Sequence, residues 1–329
     1  MALTVGVAGL GHLGSLHAKM LSTAEGASLT AVFDSNADRC AEIAKLYGAR
    51  ACSSLEELLN HVDAVSIATP TSNHFDTAAR AIHAGKHVFL EKPITEAVQQ
   101  ARELNAMADE RGVIIQVGHI ERFNPAIVAL DTLELAPLFI ESHRLAQFNP
   151  RGTDVAVVLD LMIHDIDIIL ALVKSEVTSI DASGLAVVSD TADIANARLK
   201  FANGCVANIT ASRISQNRMR KMRLFQRSAY ISIDFLAGQS EVFRLVDADA
   251  DVTPTYMLGM IEQGKVRRNI IFEQPPAPQD HNPLKYELQL FVNAARSGTR
   301  PIVDGYAAQQ ALEVAEEIVR MINGQTAQS

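Results

Sequence analysis

The chain opens with a short apolar strand, a glycine-rich turn and a helix, and this order limits its fold more than any other feature. The strand Leu3–Ala8 is followed by Gly9, Gly11 and Gly14, and then by a helix to about Leu21. Gly9 permits a tight turn, Gly11 lets a pyrophosphate approach the backbone, and Gly14 lets the helix pack closely on the strand. The free N–H groups and the dipole at the helix start favour phosphate. An ordinary strand–helix turn is the alternative. The turn residues predicted to bind a dinucleotide are Gly9, Gly11, His12, Leu13 and Gly14.

A carboxylate follows the second predicted strand. Ser28–Phe33 ends in Asp34, which lies 20 residues beyond Gly14. At this position a carboxylate accepts hydrogen bonds from the adenine ribose hydroxyls and repels a 2′-phosphate. The nearby Arg39 would reduce that repulsion, and we predict that both residues contact the cofactor. The sequence therefore favours NAD over NADP. As an alternative that can hold at the same time, Asp34 caps the helix near Asn36–Tyr47.

Strands and helices alternate over residues 1–120. Apolar strands are predicted at Asp63–Ala68, His87–Leu90 and Val113–Val117, with helices at Asn73–Ala84 and Thr95–Arg111. This alternation predicts an α/β domain with a Rossmann-type doubly wound parallel sheet. Ligands bind beyond the carboxyl ends of such strands. The further residues predicted there as cofactor contacts are Thr69, Pro70, Asn73, His74, Glu91 and Lys92.

The Glu91-Lys92-Pro93 triplet follows the strand at His87–Leu90. Because proline cannot continue a central strand, the chain turns there and Lys92 points out over the sheet edge. A lysine beside a cationic nicotinamide and a carbonyl-forming carbon can donate a hydrogen bond or relay a proton. The alternative is a solvated lysine on a loop.

The segment Val155–Val173 is almost wholly aliphatic, yet it contains Asp160, His164, Asp165 and Asp167. At about 100° per residue, Asp160, His164 and Asp167 share one stripe of a helix. A helix that is apolar all round is normally buried, and burying unpaired charge costs several kcal/mol. The stripe therefore needs cations, a metal or a substrate, and we predict that it forms one wall of an active site. Its acids, at roughly 2.5–3.5 kcal/mol each, exclude a membrane span.

Together, the glycine turn, the Glu91-Lys92-Pro93 triplet and Asp160 followed four residues later by His164 resemble the Gfo/Idh/MocA oxidoreductase family. The resemblance implies a catalytic set of Lys92, Asp160 and His164. We expect His164 to be the general base in the oxidation of a secondary alcohol, because its unperturbed pKa lies nearest physiological pH. Asp160 would orient His164 or relay its proton, and Lys92 would stabilise the developing alkoxide.

Three alternatives concern the same stripe. A metal on Asp160, His164 and Asp167 is one, but a second histidine cluster is missing and we predict no metal. In the second, Asp167 is a structural partner of an arginine. In the third, the protein is a non-catalytic NAD-binding regulator, which would have no reason to keep a base and an ammonium group at the nicotinamide.

Two segments, His119–Pro125 and Asn149–Asp154, resemble the sugar-nucleotide branch of the family. That resemblance implies oxidation at C3 of UDP-N-acetylglucosamine, giving a 3-keto sugar for amination and lipopolysaccharide synthesis. Arginines would then hold a diphosphate or uronate. As alternatives, these arginines pair with acids of the fold, and the substrate is a free polyol such as an inositol or a hexose. The predicted substrate contacts are Lys92, His119, Arg122, Asn124, Arg144, Arg151, Asp160 and His164.

The second half of the chain has a different sequence pattern from the first. Strands separated by turns run from Val177 to Val246, including a hairpin of Ile194–Phe201 and Cys205–Ser212 around Asn203-Gly204. Residues 121–329 are therefore predicted to form an α+β domain with an open, mostly antiparallel sheet, closed by helices at Lys285–Ala295 and Gly305–Ile322. One sheet face would cover helices, and an apolar opposite face would join a homodimer or homotetramer.

Bulk composition narrows the class of protein. The chain is 48% hydrophobic and 20% charged with a net charge of −9, which fits a globular fold and argues against general binding of nucleic acid or anionic lipid. Three cysteines without metal-ligand spacing, and an N-terminus without a signal peptide, predict a cytoplasmic location. A local basic cluster is expected to be a strand with a charged face or a contact to substrate phosphate. It contains Arg213, Arg218, Arg220, Lys221, Arg223 and Arg227.

Overall fold

The computed structural model describes residues 2–149, 155–250, 256–263 and 266–326. The chain forms two compact units. Unit 1 contains Met1–Ile120 and Asn282–Glu313, and unit 2 contains Glu121–His281 and Val314–Ser329. A boundary after residue 120 was also predicted from the sequence, but residues 282–313 were predicted in the second domain, whereas here they are part of unit 1.

Unit 1 is built on a parallel sheet in the order β3-β2-β1-β4-β5-β6, with every neighbouring pair parallel. This is the predicted doubly wound Rossmann arrangement, and the prediction is confirmed. Its strands are β1 (Leu3–Ala8), β2 (Ala27–Phe33), β3 (Arg50–Cys52), β4 (Ala64–Ile67), β5 (His87–Glu91) and β6 (Ile115–Gly118).

Helices connect these strands, and most lie within a few residues of their predicted bounds. They are α1 (His12–Leu21), α2 (Ala37–Tyr47), α3 (Leu55–Leu59), α4 (His74–His83) and α5 (Val98–Arg111). Strand β3 and helix α3 were not predicted from the sequence. A strand of three residues and a helix of five residues are too short to show a hydrophobic period.

Unit 2 contains a sheet in the order β14-β15-β13-β12-β11-β7-β10-β9-β8. Within the described residues β7 and β10 pair in parallel, and the other neighbours are antiparallel. The predicted mostly antiparallel sheet is therefore confirmed. Its strands are β7 (Phe139–Leu145), β8 (Val177–Leu185), β9 (Ile194–Phe201), β10 (Val206–Ser212), β11 (Met219–Gln226), β12 (Ala229–Asp234), β13 (Gln239–Asp247), β14 (Tyr256–Gln263) and β15 (Val266–Glu273).

Half of the basic cluster, namely Arg220, Lys221 and Arg223, lies on β11, where Lys221 and Arg223 are exposed. Lys221 pairs with Asp234 on β12 and Arg223 pairs with Glu141 on β7, at 3.1 and 3.4 Å. A strand with a charged face was one of the two predictions for this segment. The hairpin turn is also as predicted, because Gly204 adopts the left-handed φ of 87° that its turn requires.

The segment Val155–Val173 carries the four polar residues named above, and we call it the polar segment. It contains a π-helical turn, Val158–Met162, and continues as an α-helix. Two helices of unit 2 complete this region, α6 (Pro125–Val128) and α7 (Ile163–Val173). Helix α7 packs on β7 and β10, and Lys174 ends it in the left-handed conformation. Among the described residues, no helix combines the length and the apolar character needed to cross a membrane.

The chain ends in two helices, α8 (Pro283–Ser297) and α9 (Gly305–Thr326). Helix α8 contributes Leu288, Phe291 and Val292 to the core around Val5 and Phe89. This burial explains why residues 282–313 belong to unit 1. The period of α8 predicted its helix correctly, but a hydrophobic face does not identify the surface that it covers.

Candidate active site

The glycine turn of unit 1 is sterically restricted at two of its three glycines. Gly9 has φ of 86°, and a Cβ placed there would lie 2.8 Å from the backbone of Ala68. A Cβ on Gly14 would lie 1.8 Å from the carbonyl oxygen of Gly9. These contacts explain the tight turn and the close helix–strand packing. At Gly11, by contrast, a Cβ would meet no atom of the described chain within 4 Å.

The start of α1 is open beside Gly11. Gly11, the N-cap residue, provides no side-chain cap to this helix, and the side chains of His12 and Leu13 are exposed. The first N–H groups of a helix have no partner within the helix. A pyrophosphate suits this place, since it accepts those N–H groups and Gly11 leaves room for its approach. The turn therefore fits the dinucleotide that the sequence predicted.

Asp34 directly follows β2 and supports the turn. Its Oδ2 accepts the backbone N–H of Leu10 at 2.5 Å and its Oδ1 accepts that of Asn36 at 2.8 Å. Each carboxylate oxygen has a second acceptor site, so both ribose hydroxyls can still donate to Asp34. The cap of α2 is Asn36, which accepts the N–H of Arg39 at 3.0 Å. Asp34 is therefore not the cap residue itself.

Arg39 also braces the turn. Its Nε donates to the carbonyl of Leu10 at 3.0 Å, its Nη2 to Ser15 Oγ at 2.5 Å, and its Nη1 to Glu42 at 2.7 Å. The guanidinium is thus committed to the turn, to α1 and to an acid on its own helix. These contacts do not support an Arg39 that softens the repulsion of a 2′-phosphate.

His74, at the start of α4, joins two loops at the carboxyl end of the sheet. Its Nδ1 lies 2.9 Å from the carbonyl oxygen of Pro93, and its Nε2 lies 3.0 Å from that of Thr69. Burial lowers the pKa of the imidazole, although the two carbonyls and Glu91 oppose this. The ring is 1% exposed, so His74 fixes the loops. The other residues predicted in this region are partly buried or exposed, namely Thr69, Pro70 and Asn73.

The Glu91-Lys92-Pro93 triplet begins at the last residue of β5. Glu91 Oε2 accepts the backbone N–H of Lys92 at 3.2 Å. A Cβ on Gly118 would lie 3.0 Å from the same oxygen, so the glycine leaves room for the carboxylate. Lys92 itself is half-buried at this edge, next to the predicted cofactor contacts. His119 follows β6 and is 1% exposed.

His17, which is fully buried on α1, was not predicted from the sequence. Its Nδ1 lies 2.8 Å from Ser66 Oγ, and its Nε2 lies 3.0 Å from Glu91 Oε1. The glutamate oxygen is off the direction of the ring N–H, so this contact is electrostatic rather than an aligned hydrogen bond. The signal was available, because Gly14, His17 and Leu21 follow the helical period of the face that α1 buries.

In unit 2, the polar segment separates into two kinds of residue. Asp160, in the π-turn, and His164, in the first turn of α7, are half-buried. Asp165 and Asp167 are each 1% exposed. Within the predicted stripe of Asp160, His164 and Asp167, Asp167 is therefore the most deeply buried. The π-turn is a feature that the sequence did not predict, and such turns often occur at functional sites.

Asp165 is held by Arg144 of β7. Arg144 Nε and Nη2 donate to the two oxygens of Asp165 at 2.8 and 3.0 Å, and Nη1 donates to Glu121 at 2.9 Å. Arg220 also donates to Glu121, at 3.1 Å. Burial would lower the pKa of Arg144, but Asp165 and Glu121 raise it above its ordinary value. Arg144 therefore stays charged.

Asp167 is held by Arg122 in the same bidentate way. Arg122 Nε and Nη2 donate to its two oxygens at 2.6 and 2.9 Å. Asn124 caps α6 and donates to Glu121 and to the carbonyl of Phe235. The alternative of a structural arginine partner for Asp167 thus describes what is seen. For Arg122, Asn124 and Arg144 a substrate role stays a prediction, and Arg151 lies outside the described residues.

The sequence matches two family models. Residues 3–119 match an oxidoreductase family with an NAD-binding Rossmann fold, and residues 141–231 match the GFO/IDH/MocA C-terminal domain. Among curated proteins, the chain is 37% identical to UDP-N-acetylglucosamine 3-dehydrogenase of Acidithiobacillus ferrooxidans, over 96% of each chain. It is 29% identical to scyllo-inositol 2-dehydrogenase (NAD(+)) of Bacillus subtilis, over 94% of this chain and 90% of that protein.

Solved structures give the same picture. A structure of UDP-N-acetylglucosamine 3-dehydrogenase from Acidithiobacillus ferrooxidans matches with a TM-score of 0.87 and 36% identity, over 98% of this chain and 99% of that chain. Levoglucosan dehydrogenase in complex with NADH matches with a TM-score of 0.81 and 18% identity over 98% of each chain, which shows the shared fold alone.

Proposed function

Because this chain belongs to the Gfo/Idh/MocA oxidoreductase family, we propose that it oxidises the C3 hydroxyl of UDP-N-acetylglucosamine with NAD as the hydride acceptor. The observation that carries the proposal is the 37% identity to a UDP-N-acetylglucosamine 3-dehydrogenase along nearly the full length of both chains. The 3-keto sugar nucleotide formed would then serve amination and lipopolysaccharide synthesis.

NAD is the cofactor, and unit 1 has the residues to hold it. The start of α1 beside Gly11 would take the pyrophosphate, and Asp34 would accept the adenine ribose hydroxyls. When bound, NAD supplies the acceptor for the hydride that leaves the sugar carbon. The chain's own residues must then remove the hydroxyl proton and steady the oxygen as its charge develops.

Three side chains are proposed for those tasks. His164 takes the hydroxyl proton, since imidazole is the side chain whose unperturbed pKa best suits a base near neutral pH. Asp160, four residues earlier, orients the imidazole or receives its proton. Lys92 donates a hydrogen bond to the oxygen and thereby stabilises the developing alkoxide. Lys92 lies in unit 1 and the other two lie in unit 2.

A free polyol is the second candidate substrate, favoured by the 29% identity to an inositol dehydrogenase. The test is the formation of NADH with UDP-N-acetylglucosamine, UDP-glucose, N-acetylglucosamine, myo-inositol and scyllo-inositol as separate substrates. We expect kcat/KM for UDP-N-acetylglucosamine to exceed that for the free sugars by at least about 100-fold, because the nucleotide adds binding energy. Faster oxidation of an inositol would overturn the proposed substrate.

Alanine variants test the catalytic residues. Lys92→Ala and His164→Ala should each lower kcat by about 100-fold or more, with NAD affinity changed by less than about threefold. Exposed Lys45 and His83 provide matched controls, and Lys45→Ala and His83→Ala should keep normal turnover. Comparable activity in Lys92→Ala or His164→Ala would contradict that residue's role. A wild-type protein that binds NAD but oxidises none of the substrates would instead be a non-catalytic regulator.

We further propose a cytoplasmic homodimer or homotetramer that assembles through the unit 2 sheet. A row of aromatic side chains crosses one face of that sheet, with neighbouring ring centroids 5.1–5.8 Å apart. Such a row is apolar surface that a second copy can cover. Light scattering after gel filtration should give at least twice the chain mass, and Phe225→Asp should lower it. The row contains Phe139, Phe225, Tyr230, Phe243 and Phe272.

A further inference from the structure

The two acids that follow His164 are held from opposite sides of α7. At about 100° per residue, Asp165 and Asp167 project about 200° apart on the helix. Arg144 contacts Asp165, and Arg122 contacts Asp167, each through two donors. Bidentate contacts fix the direction of both partners as well as their distance. Any rotation of α7 about its axis therefore lengthens one of the two pairs.

The acids and the arginines in this region are equal in number. Three acids and three arginines form ion pairs in this part of unit 2, and we call them the charge cluster. Replacing a buried ion pair by packed apolar residues is often neutral or even stabilising, so stability alone gives little reason to keep such a cluster. Removing a single partner is different, because it leaves a buried charge uncompensated. The members of the charge cluster are Glu121, Arg122, Arg144, Asp165, Asp167 and Arg220.

Within the described residues, two strands pack on the segment that contains His164. The strands that pack on the polar segment are β7 and β10, and the sequence of β10 contains no titratable side chain. On β7 the buried face carries Arg144, while Glu141 and His143 alternate to the opposite face. On its own segment, His164 has Asp160 before it and the two cluster acids after it. Arg144 and Arg122 therefore decide whether those two acids act on His164 as uncompensated negative charges.

We propose that Arg122 and Arg144 are positioning residues for the hydride-transfer reaction. They set the rotation of α7 so that His164 is presented to the substrate, and they neutralise the acids beside it so that it remains a base near neutral pH. This inference rests on the proposed function, in which His164 is the base. In this role both arginines still compensate the buried acids of the fold. Neither arginine needs to contact the substrate.

Substitutions at Arg144 separate orientation from charge. Arg144→Lys keeps the charge but cannot form the planar bidentate contact. Arg144→Met removes both, and the double variant R144M/D165L removes the acid as well. The measurements are kcat against pH, the melting temperature, and an NMR titration of the His164 ring in the absence of substrate. The ring signal is assigned by its loss in His164→Asn.

We expect Arg144→Met to lower kcat by about 10- to 100-fold, since misplacement of a catalytic group by about 1 Å costs that much. Its His164 titration should move about one pH unit higher, because uncompensated Asp165 favours the imidazolium. R144M/D165L should return the titration to within about 0.3 units of the wild type while kcat stays low. Arg144→Lys should keep the wild-type titration and still lose about fivefold or more in kcat.

The outcomes separate this inference from the proposed function. If Arg144→Lys and Arg144→Met both retain wild-type kcat and titration and change the melting temperature alone, the positioning role is wrong and the arginines are structural. If Arg144→Met does not fold, the lysine variant decides by the same criteria. If the wild type oxidises no sugar nucleotide, the proposed function fails, and the NMR titration still tests the charge compensation by itself.

Discussion

The glycine turn of unit 1 and the polar helix of unit 2 are held in place in opposite ways. At the turn, the groups proposed to meet a ligand belong to the backbone, and side chains such as Asp34 and Arg39 hold that backbone. In α7, the groups proposed to meet a ligand are side chains, and other charged side chains hold the helix. The glycine turn therefore depends on the absence of a Cβ, whereas α7 depends on the pairing of opposite charges.

This difference explains why the steric restriction at Gly9 and Gly14 could be predicted from the sequence, whereas the charge partners of α7 could not. A missing Cβ is visible in the sequence as glycine at fixed offsets between a strand and a helix. A charge partner contributed by a distant strand leaves no such mark. Variants of the two regions should accordingly fail in different ways, through steric conflict in unit 1 and through displaced charge in unit 2.

The largest expected effect is at Gly14. Gly14→Ala would place a Cβ 1.8 Å from the oxygen of Gly9, so the turn or α1 must move. We expect the melting temperature to fall by more than about 10 °C and NAD binding to be lost, since such a conflict costs several kcal/mol. Gly11→Ala is the matched control, because its Cβ meets no described atom within 4 Å. It should keep the melting temperature within about 2 °C and still weaken NAD binding by about tenfold or more.

Thermal melting and NADH fluorescence titration measure the two effects separately. Equal melting temperatures for Gly14→Ala and the wild type would contradict the steric account. Unchanged NAD affinity in Gly11→Ala would mean that the pyrophosphate does not approach the backbone at that residue. The pair thus separates a glycine that the fold needs from a glycine that the ligand needs.

The features that could be predicted from the sequence differ from the others in the same way. The alternating strands and helices, the hairpin at Gly204 and the antiparallel character of unit 2 were predicted, because each has a local period or turn signal. Arg122 and Arg144 were predicted as substrate contacts, with pairing to acids of the fold as the alternative, and both do pair with acids of α7. Only a fold that brings residues 21 and 45 positions apart into contact reveals those pairs. Similarly, the π-turn has no sequence signature that was recognised.

A smaller effect is expected at His17, where unit 1 also relies on charge. His17 is fully buried between Ser66 and Glu91, and we expect its contact with Glu91 to fix the triplet rather than carry protons. His17→Leu should lower kcat about tenfold and the melting temperature by several degrees, because the Glu91 carboxylate loses a partner. His17→Gln, which can still donate to Glu91, should recover most of the kcat. Stopped-flow turnover and thermal melting measure both, and equal kcat in the two variants would argue against the contact.

A still smaller effect is expected on cofactor preference, where Asp34 is proposed to contact the ribose and Arg39 holds the turn. Asp34→Ser should lower the ratio of NAD to NADP affinity by about tenfold, because the carboxylate that repels the 2′-phosphate is gone. Arg39→Met should weaken both cofactors by a similar factor of about three and leave the ratio unchanged, since Arg39 holds Leu10 and Ser15. Fluorescence titration with NADH and NADPH gives both constants. A raised NADP affinity in Arg39→Met, or an unchanged ratio in Asp34→Ser, would reverse these assignments.

The smallest expected effect is the pH dependence due to His74. Burial lowers its pKa in the folded protein, so the unfolded chain binds this proton more readily. The stability that His74 contributes is therefore present above the unfolded pKa of about 6.5 and is lost as the pH falls through the folded pKa. Between about pH 7.5 and 5.5, the melting temperature of the wild type should fall about 2–3 °C further than that of His74→Gln. His87, whose pKa burial also lowers, is present in both proteins and cancels in the comparison. If the melting temperatures of the two proteins fall in parallel with pH, the two carbonyls hold the proton on His74 in spite of its burial. A site made of backbone groups can then carry a compensated charge, as α7 does.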